Sequence, residues 1–132
     1  MSQVSLIITA NTIFYKAFAS GDIEAMGKIW AKKAQPTCIH PGWAPLIGRQ
    51  QVMKSWENIL DEGNNSSIKC SSVRAFASGG SAYVICQEHL QMSTLVATNI
   101  FLKEANIWKI VHHQASPTIT LDQISPINKT LQ

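Results

Sequence analysis

The residues of this chain with chemistry to offer are the histidines His40, His89, His112 and His113, and one carboxylate, Glu88, placed inside a β segment. Histidine titrates near neutral pH, so it can give or take a proton under ordinary conditions. The other acids read as local. Asp22 and Glu24 fall at a helix start, Glu57, Asp61 and Glu62 on a helix and its exit, Glu104 in a turn and Asp122 in the tail. A catalytic zinc needs three converging ligands. The strand pairing derived below divides the histidines between two faces, so no metal site is expected, and no cofactor either. Cys38, Cys70 and Cys86 are an odd count without C-x-x-C spacing and read as buried thiols, not as a disulfide framework.

His40 is the most constrained of these groups. In Cys38-Ile39-His40-Pro41-Gly42-Trp43, Pro41 lacks an N–H for a ladder and pushes His40 into extended backbone, while Gly42 relieves the turn. The imidazole therefore sits at the end of a short strand, as a structural cap or as a functional group. From Arg49 onward Val52, Met53, Trp56, Ile59 and Leu60 recur at helical spacing. Arg49, beside the rigid loop, can clamp a carboxylate or phosphate, or hold its own loop through backbone carbonyls.

Helical stripes also run earlier, over residues 3–19 (Ile7, Ala10, Phe14, Ala17, Phe18) and from Asp22 to Trp30, with Ser20-Gly21 between them. Four β segments follow residue 67: Ile68–Phe76, Ser81–Met92, Thr94–Lys103 and Ile107–Ala115. Their short connections predict an antiparallel meander. With Met92-Ser93 as a two-residue turn, Glu88 lies opposite Ala97 and Cys86 opposite Asn99. With Glu104-Ala105 as another, Asn99 faces Ile110 and Ala97 faces His112. One face then carries Val84, Cys86, Glu88, Asn99, Phe101, Trp108, Ile110 and His112, mostly apolar with polar groups converging, as a pocket wall should be. The other carries Tyr83, Gln87, His89, Thr98, Lys109 and His113 and suits a dimer interface. A one-residue slip exchanges His112 for His113.

The 132 residues make one domain, read as residues 1–117 with a loose or partner-bound tail over 118–132. Helices first and strands afterward make it α+β, with three N-terminal helices on a strongly curved, mainly antiparallel sheet. A composition 45% hydrophobic and 14% charged implies apolar surface covered by another subunit or a ligand. A net charge of +3 without basic clusters gives no sign of nucleic-acid binding. No leader pattern and no apolar run of membrane-spanning length is seen, so the chain reads as cytoplasmic, with no membrane association.

The order of these pieces carries a resemblance. A first helix ending in Ala-Ser-Gly-Asp, a second ending in Trp30, a strand ending at His-Pro-Gly-Trp, Gly48-Arg49 opening a helix, and a meander closing on Trp-Lys-Ile-Val-His-His resemble the NTF2-like superfamily, in its SnoaL-like and ketosteroid-isomerase-like branch, over about residues 4–117. The resemblance implies a conical domain with a pocket between the sheet's concave face and the helices, and a homodimer formed through the sheet. In ketosteroid isomerases a helix-one tyrosine and a carboxylate before Pro carry the proton transfer. Here those positions fall on Phe14 and His40, with Tyr15 on the wrong side of the helix unless the register differs by one. That argues against steroid isomerisation and leaves His40 as a base, with Glu88 or His112 as its partner. Phe14, Trp30, Trp43, Arg49, Trp56, Asn99, Phe101 and Trp108 would line the ligand site, although the tryptophans also fit plain core packing. Two functions follow: a lyase, isomerase or cyclase acting on a small apolar carbonyl compound, or a non-catalytic ligand-binding or dimeric association module.

Overall fold

The computed structural model describes residues 2–63, 65 and 67–119. Helices α1 (Gln3–Ser20), α2 (Ile23–Ile29) and α3 (Arg49–Asp61) pack on one sheet of six strands: β1 (Thr37–Ile39), β2 (Leu46–Ile47), β3 (Lys69–Ser78), β4 (Ser81–His89), β5 (Thr94–Glu104) and β6 (Ile107–Thr118), in the order β2-β1-β6-β5-β4-β3. All neighbours are antiparallel except β1 and β6. The α+β architecture read from the sequence is the one observed.

Local chemistry sets the boundaries. Ser2 caps α1 by accepting from the Ser5 N–H, and Gly21, at φ 68, ends it in the left-handed conformation that glycine adopts without steric cost. Asp22 then caps α2 by accepting from the Ala25 N–H. At the start of α3 the Arg49 guanidinium turns back onto the end of α2, donating to Gly27 O (2.7 Å), Ala31 O (3.0 Å) and Trp30 O (3.1 Å). Gly27 lies in the last turn of α2, whose carbonyls lack intrahelical partners, and Trp30 and Ala31 follow its end. Glu104 does the complementary work on the next stretch, accepting from the N–H groups of Lys32, Lys33 and Ala34.

The meander forms, but its register differs from the expected one in an instructive way. The β4–β5 connection is a four-residue loop closed by Leu90 N–H to Ser93 O, so Glu88 pairs with Leu95, Cys86 with Ala97 and Val84 with Asn99. The shift is two residues, and because strand side chains alternate with period two, every β4 and β5 residue keeps its face. The β5–β6 turn is Ala105-Asn106, both at positive φ (52 and 65), which pairs Lys103 with Trp108 and Phe101 with Ile110. Beyond that point the ladder jumps: Ile100 pairs with His112 and Asn99 with His113. Val111 is the extra residue of a bulge, and everything after it changes face. His112, expected on the inner face, therefore points out and meets Thr37 (Oγ1 to Nδ1, 2.6 Å), while His113, expected outside, is buried.

Between the helices and the sheet's inner face the space is filled. Phe14, Trp30, Trp56 and Phe101 are fully buried, and the Phe14 ring stands edge-on to Tyr15, Phe18, Trp30 and Trp56 at centroid separations of 4.8 to 6.3 Å. Among the described residues no helix is long and apolar enough to cross a membrane. β6 runs on to Thr118; of the tail expected over 118–132, residues 120–132 lie outside the described residues.

Candidate functional site

The inner face brings together a polar network that an apolar core would not contain by chance. Asn11 and Tyr15, four residues apart on α1, present one face toward β4 and β5. The Tyr15 hydroxyl donates to Glu88 Oε2 at 2.6 Å and lies 3.4 Å from Cys86 Sγ. Asn99 Nδ2 donates to Tyr15 Oη (3.2 Å) and to Asn11 Oδ1 (2.9 Å). Asn99 Oδ1 in turn meets His113 Nδ1 at 2.5 Å, so that nitrogen carries the imidazole proton and Nε2 keeps its lone pair. His113 Nε2 stands 3.8 Å from Glu88 Oε2. Tyr15 is only 6% exposed and the other four members 2% or less.

Buried this deeply, His113 is a neutral imidazole, so its contact with Glu88 is not an ion pair. Burial raises the Glu88 carboxyl above its usual range, against the opposing effect of the Tyr15 hydrogen bond. Burial also pushes His113 down to about 3, with His40 and His112 adding to it. The Tyr15 hydroxyl is held well above its usual value, first by burial and then by Glu88 and Cys86. Near pH 7 the Tyr15 and His113 members are thus neutral, and Glu88 is shifted toward its neutral form.

His40 lies elsewhere in the interior. It is 4% exposed, its ring 6.3 Å from that of His113, and it packs edge-on against Trp43 (4.8 Å) and Trp56 (4.9 Å). Ser55, on the buried face of α3, donates to Val52 O at 2.7 Å and so accepts from His40 Nε2 at 2.9 Å. Burial lowers His40 to about 4. Trp43 is half exposed above it.

Of the residues expected to form the site, Glu88 and Asn99 are in the network, whereas His112 is outside it and His40 is tied to Ser55. Arg49 spends its guanidinium on three carbonyls. Phe14, Trp30, Trp56, Phe101 and Trp108 are core, and the indole N–H groups of Trp30, Trp56 and Trp108 have no acceptor among the described residues. Sequence reasoning missed Asn11 and Ser55, and reached Tyr15 and His113 only as the alternatives that a shift of one residue would bring in. Asn11 had a legible signal, a polar residue on the apolar stripe Ile7, Asn11, Phe14, Phe18, and Tyr15 follows it at the next helical step. Ser55 likewise interrupts the stripe of α3. His113 had none, because no local pattern announces the bulge. Among the described residues no three His, Cys, Asp or Glu side chains are grouped to hold a metal ion.

Asn11 and Tyr15 also reach an open cleft of about 300 Å³ between α1 and β3, lined with Thr12, Lys16, Cys70 and Val73. Tyr15, which lines it, is the most exposed member of the network.

A conical sheet wrapped over three helices with a polar network on its inner face is the architecture of the NTF2-like superfamily, and the chain belongs to its SnoaL-like domain family, whose model matches residues 7–120. An NTF2-like family structure from Streptomyces avermitilis that carries a provisional dehydratase name is 32% identical, with a TM-score of 0.77 over 89% of this chain and 96% of that one. A structure from Thiobacillus denitrificans, provisionally named a calcium/calmodulin-dependent protein kinase type II association domain, is 27% identical with a TM-score of 0.76, over 85% and 94% of the two chains. The F-box protein SKIP8 of Arabidopsis thaliana is 25% identical over 119 residues, 89% of this chain. The chain spans about half (52%) of that relative's length.

Proposed function

We propose that this protein binds a small carbonyl compound at the α1–β3 cleft, with the Tyr15 hydroxyl as hydrogen-bond donor to the carbonyl oxygen, in chemistry of the lyase or isomerase kind. The observation that carries this reading is that Tyr15 lines the cleft while its hydroxyl is only 2.6 Å from a buried Glu88. Burial shifts Glu88 toward its protonated form, and in that form it can reverse the bond, donating to Tyr15 as Tyr15 turns its own proton to the ligand. Two donors in series in a low-dielectric site stabilise charge developing on a carbonyl oxygen far better than water does. His113 Nε2 is the acceptor beside the same carboxyl. In this reading His40 holds the β1 loop on α3 and takes no part in proton transfer. The dehydratase name of the Streptomyces avermitilis relative is consistent with such chemistry.

The test is proton exchange on a simple ketone, which needs no knowledge of the natural substrate. Wash-out of α-deuterium from deuterated cyclopentanone should be accelerated by the protein and fall by about 10²-fold or more in Tyr15→Phe, the usual cost of removing one oxyanion donor. Equal rates for the two proteins would remove Tyr15 from the chemistry.

A second reading, an association module, is favoured by the outer face of the sheet. There Phe76 and Tyr83 stack at 4.9 Å, both half exposed, with Ile85 exposed beside Tyr83 on the next outward position of β4. The Thiobacillus denitrificans relative is named for association. The two readings use opposite faces of the sheet and are compatible in one molecule.

A further inference from the structure

The α1–β3 cleft is framed by two adjacent stripes of α1. Asn11 and Tyr15 form its floor; Thr12 and Lys16, one residue on in each case, form its rim; Cys70 and Val73 are the opposite wall. Asn11 is 2% exposed, and its side-chain oxygen is taken by Asn99 Nδ2. Its amide nitrogen has two hydrogens to give, and its partners among the described residues are sulfur atoms, that of Cys70 at 3.8 Å and that of Cys86. A thiol is a weak acceptor. A buried amide donor held only by weak sulfur acceptors thus lines the cleft, and leaving such a group poorly satisfied is costly.

The rim supplies a charge. Lys16 has no ion-pair partner among the described residues. The one carboxyl group near the floor, Glu88, stands behind the Tyr15 hydroxyl and is held toward its neutral form by burial, so it does not set up an opposing negative charge. Val73 and the Cys70 side chain offer an apolar wall.

We infer that the ligand of this cleft is a short oxo acid: one carboxylate oxygen on the Lys16 ammonium, the other on the Asn11 amide, the apolar body against Val73 and the carbonyl toward Tyr15. The inference rests on the reading of the cleft as the ligand site and adds the anionic class of its ligand. An ammonium and a neutral amide together select a carboxylate over an uncharged oxygen, because the charge-assisted bond is about twice as strong as the neutral one.

Isothermal titration of the full chain with 4-oxopentanoate and with 5-hydroxypentan-2-one, a ketone of the same length with an uncharged end, tests the class. The acid should bind at least about tenfold tighter at low salt, Lys16→Met should abolish that preference, and Lys16→Arg should restore most of it. Equal affinities, or a preference that survives Lys16→Met, overturn the carboxylate assignment while leaving the cleft as a ketone site. If neither compound binds, or Tyr15→Phe leaves both affinities unchanged, the cleft reading itself fails and the inference fails with it.

Discussion

His40 and His113 are buried imidazoles held neutral by their surroundings, and neutrality has a consequence for stability. His113 is faced by Glu88 and Asn99 and by the rings of Phe14 and Trp56; His40 is faced by Ser55, Cys38, Trp43 and Trp56. In the unfolded chain both take up protons as pH falls below about 6.5, but in the folded protein only near 4 and 3. Their contribution is complete above the unfolded value and is lost as pH falls toward the folded ones, at up to about 1.4 kcal/mol per pH unit for each. Glu88 runs the other way. Its raised value means its contribution is complete below the ordinary carboxylate range and is lost as pH rises through the folded value. Thermal melts from pH 7 to 4.5 should therefore show a falling Tm, less steep in His40→Gln and steeper in Glu88→Gln; a Tm independent of pH would contradict the neutral-histidine account. His40→Ala at pH 7 should cost about 1 to 3 kcal/mol in a urea melt, through the hydrogen bond and packing it loses between two tryptophans. The sequence made His40 visible as a fixed residue. It could not say whether fixing served chemistry or the loop, since that depends on Ser55, which sits 15 residues away.

At the level of elements, what was legible followed from parity. The face assignments of β4 and β5 survived an error of two residues in the loop length, because only odd shifts move a strand's side chains to the other face. Val111 is an odd shift, and it alone exchanged His112 for His113. A bulge is chosen by the fit of the whole sheet, here including the parallel pairing of Thr37 with His112 and Cys38 with His113, so nothing near Val111 in the sequence marks it. Tyr15 was misjudged for a related reason. Helical spacing assigns a stripe, but a long side chain at its edge can still reach a partner on a curved sheet, and Tyr15 reaches Glu88. Arg49 illustrates the opposite outcome, an ambiguous residue settled by geometry. Its contacts to Gly27, Trp30 and Ala31 bind the start of α3 to the end of α2. Arg49→Met should lower stability by about 2 to 4 kcal/mol in urea, because three carbonyls lose a charged donor at once, while leaving ketone affinity at the cleft unchanged. Loss of binding with stability intact would instead make Arg49 a ligand group.

The whole molecule has an interior closed by aromatic side chains, a polar network on the sheet's inner face that surfaces between α1 and β3, and an outer face bearing Phe76, Tyr83 and Ile85. The overall architecture was legible because the order of elements and their apolar stripes are sequence properties. The cleft proposed as the ligand site was not, since the space expected to hold a central pocket is packed with Phe14, Trp30, Trp56 and Phe101, whose packing density no spacing rule reveals. We propose that the exposed outer face pairs with a second copy of the chain. Tyr83→Glu should shift sedimentation toward the monomer at micromolar concentration without changing the melt of the monomer, whereas a wild-type protein that sediments as a monomer would remove the dimer. The central claim, that Tyr15 backed by Glu88 donates to a ligand carbonyl, is tested most directly by the 13C resonance of carbonyl-labelled cyclopentanone in the presence of the protein. A downfield shift of that carbon with wild type, absent with Tyr15→Phe of unchanged fold, is the predicted result; the same shift with both proteins, or none with wild type, would contradict it.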